Sequence, residues 1–338
     1  MRSIEAVEAY LSADIPVLVE GPPGTGKTAT FESMARRKGW HLETLIGSTI
    51  DPVDVGGYLL SSHGKVVSDP PPWATRIKAA LDHGTKPLLF LDELSCAPPS
   101  TQAALLRVVN ERRVGNLDLI GMLVAAASNP ADSATAEGDV GPAMSNRWAH
   151  VDWTVDVSEW VAGTLSNWGA KQPAGYAEVA SSVTGFLTRS PTALLKQGVK
   201  AWPSPRSWTH GIKAVIALDK GLKSTASRII LAGLVGDATA SEWSTYVSES
   251  DLPSPEEVLC GKANVPTRGD RISATIQAVA GVALSEHANR EERVRMAWDL
   301  LAKQRQDLVI GAAKALLNSG YEVPDVAIEL GNKIRKMS

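Results

Sequence analysis

The chain has 338 residues, room for about two domains at roughly 150 residues each, and a net charge of −3. That balance supplies no broad electrostatic footprint for nucleic acid or an anionic membrane. Two distant cysteines, Cys96 and Cys260, cannot make a disulfide framework and fit a reducing compartment, and the scattered histidines form no pair at zinc-ligand spacing.

The opening "MRSIEAVEAYLSAD" is expected to be a short amphipathic helix and not a signal peptide. No apolar stretch approaches the roughly 20 residues that a membrane helix needs, so the protein is expected to be cytoplasmic with no membrane insertion. The run "IPVLVEG" (Ile15 to Gly21) has the length and apolar continuity of a buried strand. Directly after it comes "GPPGTGKT", the spacing Gly21-x4-Gly26-Lys27-Thr28, and then a helical pattern. In that context Gly21, Pro22, Pro23, Gly24, Thr25, Gly26, Lys27 and Thr28 form a phosphate-binding loop. The glycines let backbone N–H groups turn inward around phosphates, and the helix N-terminus adds its partial positive charge. Lys27 is expected to reach the β- and γ-phosphates, and the Thr28 hydroxyl to ligate Mg²⁺.

A second strand, "HLETLIG" (His41 to Gly47), precedes "DPVDVGGYLLSSHGKVVSDPPPWATRI", a polar segment rich in Gly and Pro and too long for an ordinary connection. The third strand, "KPLLFLDE" (Lys86 to Glu93), ends in two acids. Neighbouring side chains on a strand point oppositely, so the two can do separate jobs. Asp92 suits the surroundings of Mg²⁺, and Glu93 suits a base that orients water against the γ-phosphate. Taken alone, the pair could instead be the polar cap of a surface strand. "PPSTQAALLRVVNERR" follows as a helix that Ser100 can cap, with Ala104, Leu105, Val108 and Val109 on one face. "GMLVAAASNP" (Gly121 to Pro130) and "WAHVDWT" (Trp148 to Thr154) complete five strands. Alternation of such runs with helices predicts a parallel sheet covered on both faces.

Beyond about residue 155 the strand signal fades. "SEWVAGTLSNWG", "SPRSWTHGIKAVIALDKG" and "STASRIILAGLVGDAT" read as helices, a break falls at "DLPSPEE" (Asp251 to Glu257), and a last helical stretch runs from about Gly269. Ser204 is a good N-cap and Pro205 a good first residue, which puts Arg206 in a first turn where the helix dipole disfavours a cation by about 0.3–1 kcal/mol. An arginine set against local preference makes sense facing a phosphate; the alternative is a solvated side chain. The middle tryptophans (Trp148, Trp153, Trp160, Trp168, Trp202 and Trp208) interleave with acids more than with Lys or Arg, which favours packing over base stacking. Cys96 has no histidine near it in sequence, so it reads as a packing thiol.

From Gly21 to Trp208 the chain resembles an AAA+ ATPase, most closely of the MoxR branch. The resemblance rests on "GPPGTGKT", "DPVDVGG", "LLFLDEL", "QAALLRVVNERRV", "AASNP", "SNRW" and "SPRSW" in that order. It implies an α/β P-loop core of five parallel strands flanked by helices (residues 1–155), an all-α lid subdomain (156–250), and a helical C-terminal extension (251–338) that either stands apart or completes the lid. It implies that Asn129 is the polar sensor for the attacking water, although an amide before Pro130 also suits a turn cap. Arg147 takes the place of the arginine finger given to a neighbouring subunit's ATP. Asn146 and Trp148 depart from the family's usual flanks, and Arg112 and Arg113 are rivals. Arg206 takes the place of the second sensor. The long segment after the second strand matches an inserted hairpin that faces the pore or a partner, with Tyr58, Leu59 and Leu60 as contacts or as a cluster folded over the sheet.

The implied function is an ATP- and Mg²⁺-dependent, chaperone-like homo-oligomeric ring, a hexamer, that remodels a protein client with a von Willebrand A-type partner. The competing reading is an AAA+ motor or loader on nucleic acid, and the lack of any basic run counts against it. A nucleotide switch without catalysis is the third, opposed by the full set of catalytic residue types.

Overall fold

The computed structural model describes residues 3–62, 65–130, 139–249, 252–285 and 287–336. The chain divides into two compact units, residues 1–154 and 155–338. In the first, helix α1 (Ser3–Ser12) leads to strand β1 (Val17–Glu20), helix α2 (Lys27–Lys38) and strand β2 (His41–Ile46). A short helix α3 (Pro52–Gly56), the strands β3 (Tyr58–Ser62) and β4 (Lys65–Asp69) and helix α4 (Pro72–Asp82) follow. Strand β5 (Pro87–Asp92), helix α5 (Pro99–Glu111), the two-residue strands β6 (Arg113–Val114) and β7 (Leu117–Asp118), strand β8 (Leu123–Ser128), helix α6 (Pro142–Ser145) and strand β9 (Ala149–Asp152) complete it.

The five expected strands form one parallel sheet in the order β2-β5-β8-β1-β9. Alternation decides which residue serves which face. Leu18, Leu89, Leu91, Val124 and Ala126 pack with Trp73 and Ile77 of α4 and Leu105, Val108 and Val109 of α5. Val17, Val19, Leu88, Phe90, Leu123 and Ala125 take the opposite face, against Val7 and Leu11 of α1 and Phe31 and Met34 of α2. Each Val, Leu, Ile, Phe or Met side chain among them contributes roughly 1.5–3 kcal/mol by leaving water. The inner strands β1, β5 and β8 are therefore apolar up to their last residues, Glu20, Asp92 and Ser128, whereas the edges β2 and β9 admit Glu43, His150 and Asp152 further in.

Two local expectations are corrected and one helix is added. Ser100 does not cap α5: Pro98 holds the cap position and Pro99 the first turn, where its missing N–H costs nothing. The run read as one helix from Ser224 breaks at Gly236 (φ 83°) into two. A helix over Tyr176–Arg189 was not anticipated, because "SSVTG" at its centre is poor in helix formers. The long segment after β2 folds as an antiparallel pair of β3 and β4 with Tyr58 opposite Asp69. Tyr58 is exposed, and the side chains of Leu59 and Leu60 lie outside the described residues.

The second unit is helical: α7 (Val157–Leu165), α8 (Tyr176–Arg189), α9 (Pro205–Leu218), α10 (Thr225–Val235), α11 (Asp237–Glu249), α12 (Pro255–Leu259), α13 (Gly269–Leu284), α14 (Arg290–Ala302), α15 (Gln306–Asn318) and α16 (Asp325–Lys336). One core runs through it, joining Trp160, Trp208 and Trp243 to Ile276, Trp298 and Val309. No described helix is long and apolar enough to cross a membrane.

Candidate nucleotide site

Strands β1, β5 and β8 lie side by side and parallel, so their carboxyl ends bring three chain segments together. Gly21, just past β1, accepts no side chain: a Cβ there would stand 2.6 Å from the Trp153 carbonyl oxygen. The loop then turns through left-handed Gly24 and Gly26, conformations that glycine adopts without strain. The Thr25 hydroxyl donates to the Pro22 carbonyl at 2.7 Å, and the Trp153 indole N–H reaches the Thr25 carbonyl at 3.4 Å.

Lys27 opens α2 and is buried. Its Nζ donates to the carbonyls of Gly21 (2.5 Å) and Pro22 (3.0 Å) and to Asn129 Oδ1 (3.2 Å). A buried ammonium needs its donors satisfied, and Asn129, just past β8, therefore sits within reach of the loop lysine. The Thr28 hydroxyl donates to Asp92 Oδ2 at 2.6 Å. The other Asp92 oxygen accepts from the Glu93 backbone N–H at 3.0 Å. These two bonds set the orientation of the Asp92 carboxylate.

Glu93 holds a left-handed backbone (φ 55°), unusual for a residue with a side chain. Such strain costs of order 1 kcal/mol or more and gathers at functional sites. Its carboxylate is exposed and accepts from the Ser48 hydroxyl at 2.8 Å. Gly47 lets β2 come this close, since a Cβ there would lie 2.3 Å from the Glu93 carbonyl oxygen. The sequence reading missed both Ser48 and Gly47, although a glycine directly ending the second strand was a visible signal.

The donor set fits Mg²⁺. A hydroxyl and a carboxylate 2.6 Å apart beside a phosphate loop are what this ion takes from a protein when nucleotide phosphates and water supply the rest. Among the described residues no group of three His, Cys, Asp or Glu side chains could hold a metal without such a ligand.

Arg147 lies elsewhere. It precedes β9, which pairs with β1 from Ala149 opposite Val17 to Asp152 opposite Glu20. It therefore stands at the amino end of the sheet, at least three residue rises (roughly 10 Å) from the loop that follows Glu20. The guanidinium is half-buried and donates to the Ala143 carbonyl. Its rivals are otherwise engaged. Buried Arg112 donates to the Met122 carbonyl at 2.9 Å and lies 3.7 Å from Asp14, and burial draws its pKa below the usual arginine value. Arg113 lies 3.9 Å from Asp118 across the small β6–β7 pair. Arg206 belongs to the second unit, exposed in the first turn of α9, with Ser204 capping through the Ser207 N–H at 3.1 Å.

Strand, glycine loop, helix and a threonine–aspartate pair at the carboxyl edge of a parallel sheet define a P-loop nucleotide-binding domain. Residues 16–137 match the AAA domain (dynein-related subfamily). Protein NorQ of Paracoccus denitrificans (strain Pd 1222) is 31% identical over 126 residues, 37% of this chain and 44% of NorQ. Two mutant forms of RuvB from Thermotoga maritima are similar at 14% identity. Their TM-scores are 0.40 and 0.39, covering 95% and 96% of this chain and 94% of each RuvB chain. Residues 16–137 are thus an AAA domain.

Proposed function

We propose that this protein hydrolyses ATP at contacts between copies of itself, assembled as a hexameric ring, and uses the cycle to remodel or activate a partner protein. The reading is carried by one observation: the loop with its acids stands at one end of the sheet and Arg147 at the other. A copy cannot bring Arg147 to its own phosphates along that strand, whereas a neighbour can. Mg²⁺, bound through Thr28 and near Asp92, would neutralise phosphate charge.

The remaining work falls to the chain. Gly21 to Thr28 hold the phosphates, with Lys27 exchanging its carbonyl partners for phosphate oxygens. Glu93 takes up the attacking water as its base once the Ser48 hydroxyl lets the carboxylate go, and Asn129 orients that water. Arg147 stabilises transition-state charge in the neighbouring copy, and Arg206 meets the nucleotide from a lid. The three-part division into core (1–155), lid (156–250) and extension (251–338) belongs to the same reading, as does a von Willebrand A-type partner.

Glu93→Gln tests it directly. Turnover should fall by at least about 100-fold while ATP binding persists, because the amide cannot accept the proton. Unchanged phosphate release removes Glu93 as base. Running the wild-type assay with DNA, with RNA and with neither separates a protein remodeller from a nucleic-acid motor, whose rate the polymer would raise.

A further inference from the structure

Helix α5 carries an amide on its core face. Gln102 is buried there, in line with the buried apolar side chains of Leu105 and Val109. A buried amide is costly unless its groups are bonded, and this one is fully engaged. Nε2 donates to the Ala97 carbonyl at 3.0 Å and to the Asp139 carbonyl at 3.0 Å. Oε1 accepts from the Gly141 N–H at 3.1 Å. Both N–H groups and the carbonyl of the side chain are thereby used.

Two of these bonds hold one stretch of chain. Asp139 and Gly141 lead into α6, with Gly141 at its N-cap. Arg147 hangs from the same turn: its backbone N–H donates to the Met144 carbonyl at 3.1 Å, and its guanidinium to the Ala143 carbonyl. With four residues, α6 is too short to hold itself. Met144 sinks into the core that Leu105 shares, which fixes depth but not rotation. Hydrogen bonds are directional, so Gln102 supplies the orientation. Its own base is firm, because buried Thr101 beside it donates to the Ile50 carbonyl at 3.2 Å.

We propose that Gln102 is a positioning residue for Arg147, fixing the entry into α6 and so the direction in which the guanidinium is offered to a neighbouring copy. This rests on the reading of Arg147 as the group given in trans. A misplacement of about 1 Å can cost roughly 100-fold in rate, so a bonded amide far from the phosphates can matter to turnover. Asp139 is exposed and Gly141 half-buried. Water can therefore take the bonds that Gln102 releases, and the fold should survive its loss.

The test is ATP turnover by the full chain carrying Gln102→Met, which keeps the length of the side chain and removes all three bonds. Turnover should fall about 10- to 100-fold, while ATP affinity measured by calorimetry stays at the wild-type level. Mixing with Lys27→Ala chains then shows in which copy the amide acts. In such mixtures the pockets of Gln102→Met copies receive Arg147 from copies with Gln102 intact, so turnover per Gln102→Met chain should rise. Gln102→Glu keeps only the bond from Gly141, and should lose turnover and recover on mixing in the same way.

No rise for either variant, when Arg147→Ala is rescued in a parallel mixture, puts the effect in the copy's own pocket and overturns the proposal. So does loss of ATP affinity in both variants, which would make Gln102 a residue of the fold. Full turnover of Gln102→Met beside an inactive Arg147→Ala removes the role of Gln102 alone. Full turnover of Arg147→Ala removes the arginine given in trans, and this role with it.

Discussion

The two units solve different problems. The first places its chemistry with polar contacts: Thr28 on Asp92, Lys27 on Asn129, Ser48 on Glu93, all at strand ends. Of its tryptophans, Trp40 is half-buried and Trp73, Trp148 and Trp153 retain some exposure at 4–7%. The second unit is organised by bulk, and Trp208, Trp243 and Trp298 are its largest fully buried side chains. The contrast teaches where substitutions should act. Changes at the strand ends should alter rate with little loss of stability, and changes in the helical core should do the reverse.

The largest expected effect tests the separation of the two sheet ends. Arg147→Ala should lower turnover by about 10³ or more, the usual worth of an arginine finger, while leaving nucleotide affinity and the unfolding midpoint near wild type. Mixing it with Lys27→Ala chains should restore part of the activity, since each copy supplies what the other lacks. Phosphate release from mixtures at varying ratio measures this. Full activity of Arg147→Ala alone, or no recovery on mixing, breaks the assignment to a neighbouring copy.

In the helical unit, Trp298→Ala should cost about 3–5 kcal/mol, a large side chain lost from a closed core. Urea unfolding followed by circular dichroism reports it. A cost under about 1 kcal/mol would mean that the core collapses around the gap, and the contrast between the units would weaken. A subtler comparison lies within this core. The Trp208 indole N–H donates to the Ala193 carbonyl at 2.9 Å, whereas that of Trp298 has no partner among the described residues. Trp208→Phe abandons a buried acceptor and Trp298→Phe does not, so the first should cost about 1 kcal/mol more. Equal costs would show that the bond contributes nothing net.

Legibility in the sequence follows the same divide. The five strands and the phosphate loop were readable because continuous apolar runs and a glycine spacing are local signals. So was the first turn of α9, where Ser204 and Pro205 announce it. Ser48 and Gly47 were not, because their meaning arises only when β2 lies beside β5. The distance of Arg147 from the loop likewise depends on the parallel pairing of β9 with β1. In the helical unit, the span Tyr176–Arg189 was hidden by β-branched residues and a glycine. Those positions are helical because Val179, Val183 and Phe186 reach a shared core, a tertiary effect that outweighs propensity.

The smallest expected effect concerns the edge of the sheet next to the loop. His150 on β9 bonds the Glu20 carboxylate at 2.9 Å through Nδ1 and meets the Ser145 carbonyl at 3.0 Å through Nε2. The hydrogen bond to Glu20 is the chief reason its pKa lies above the ordinary 6.5; burial opposes it, and the Ser145 carbonyl and Asp152 reinforce it. A histidine that holds its proton more tightly when folded adds stability that is fully present below its ordinary value and disappears as pH rises through the raised one. Both partners are partly exposed, so the contribution should stay below about 1 kcal/mol. His150→Gln should therefore lower the unfolding midpoint slightly at acidic pH and match wild type in alkali. A gap that widens with rising pH would mean that neutral His150, and not its cation, is the form that holds β9 to β1.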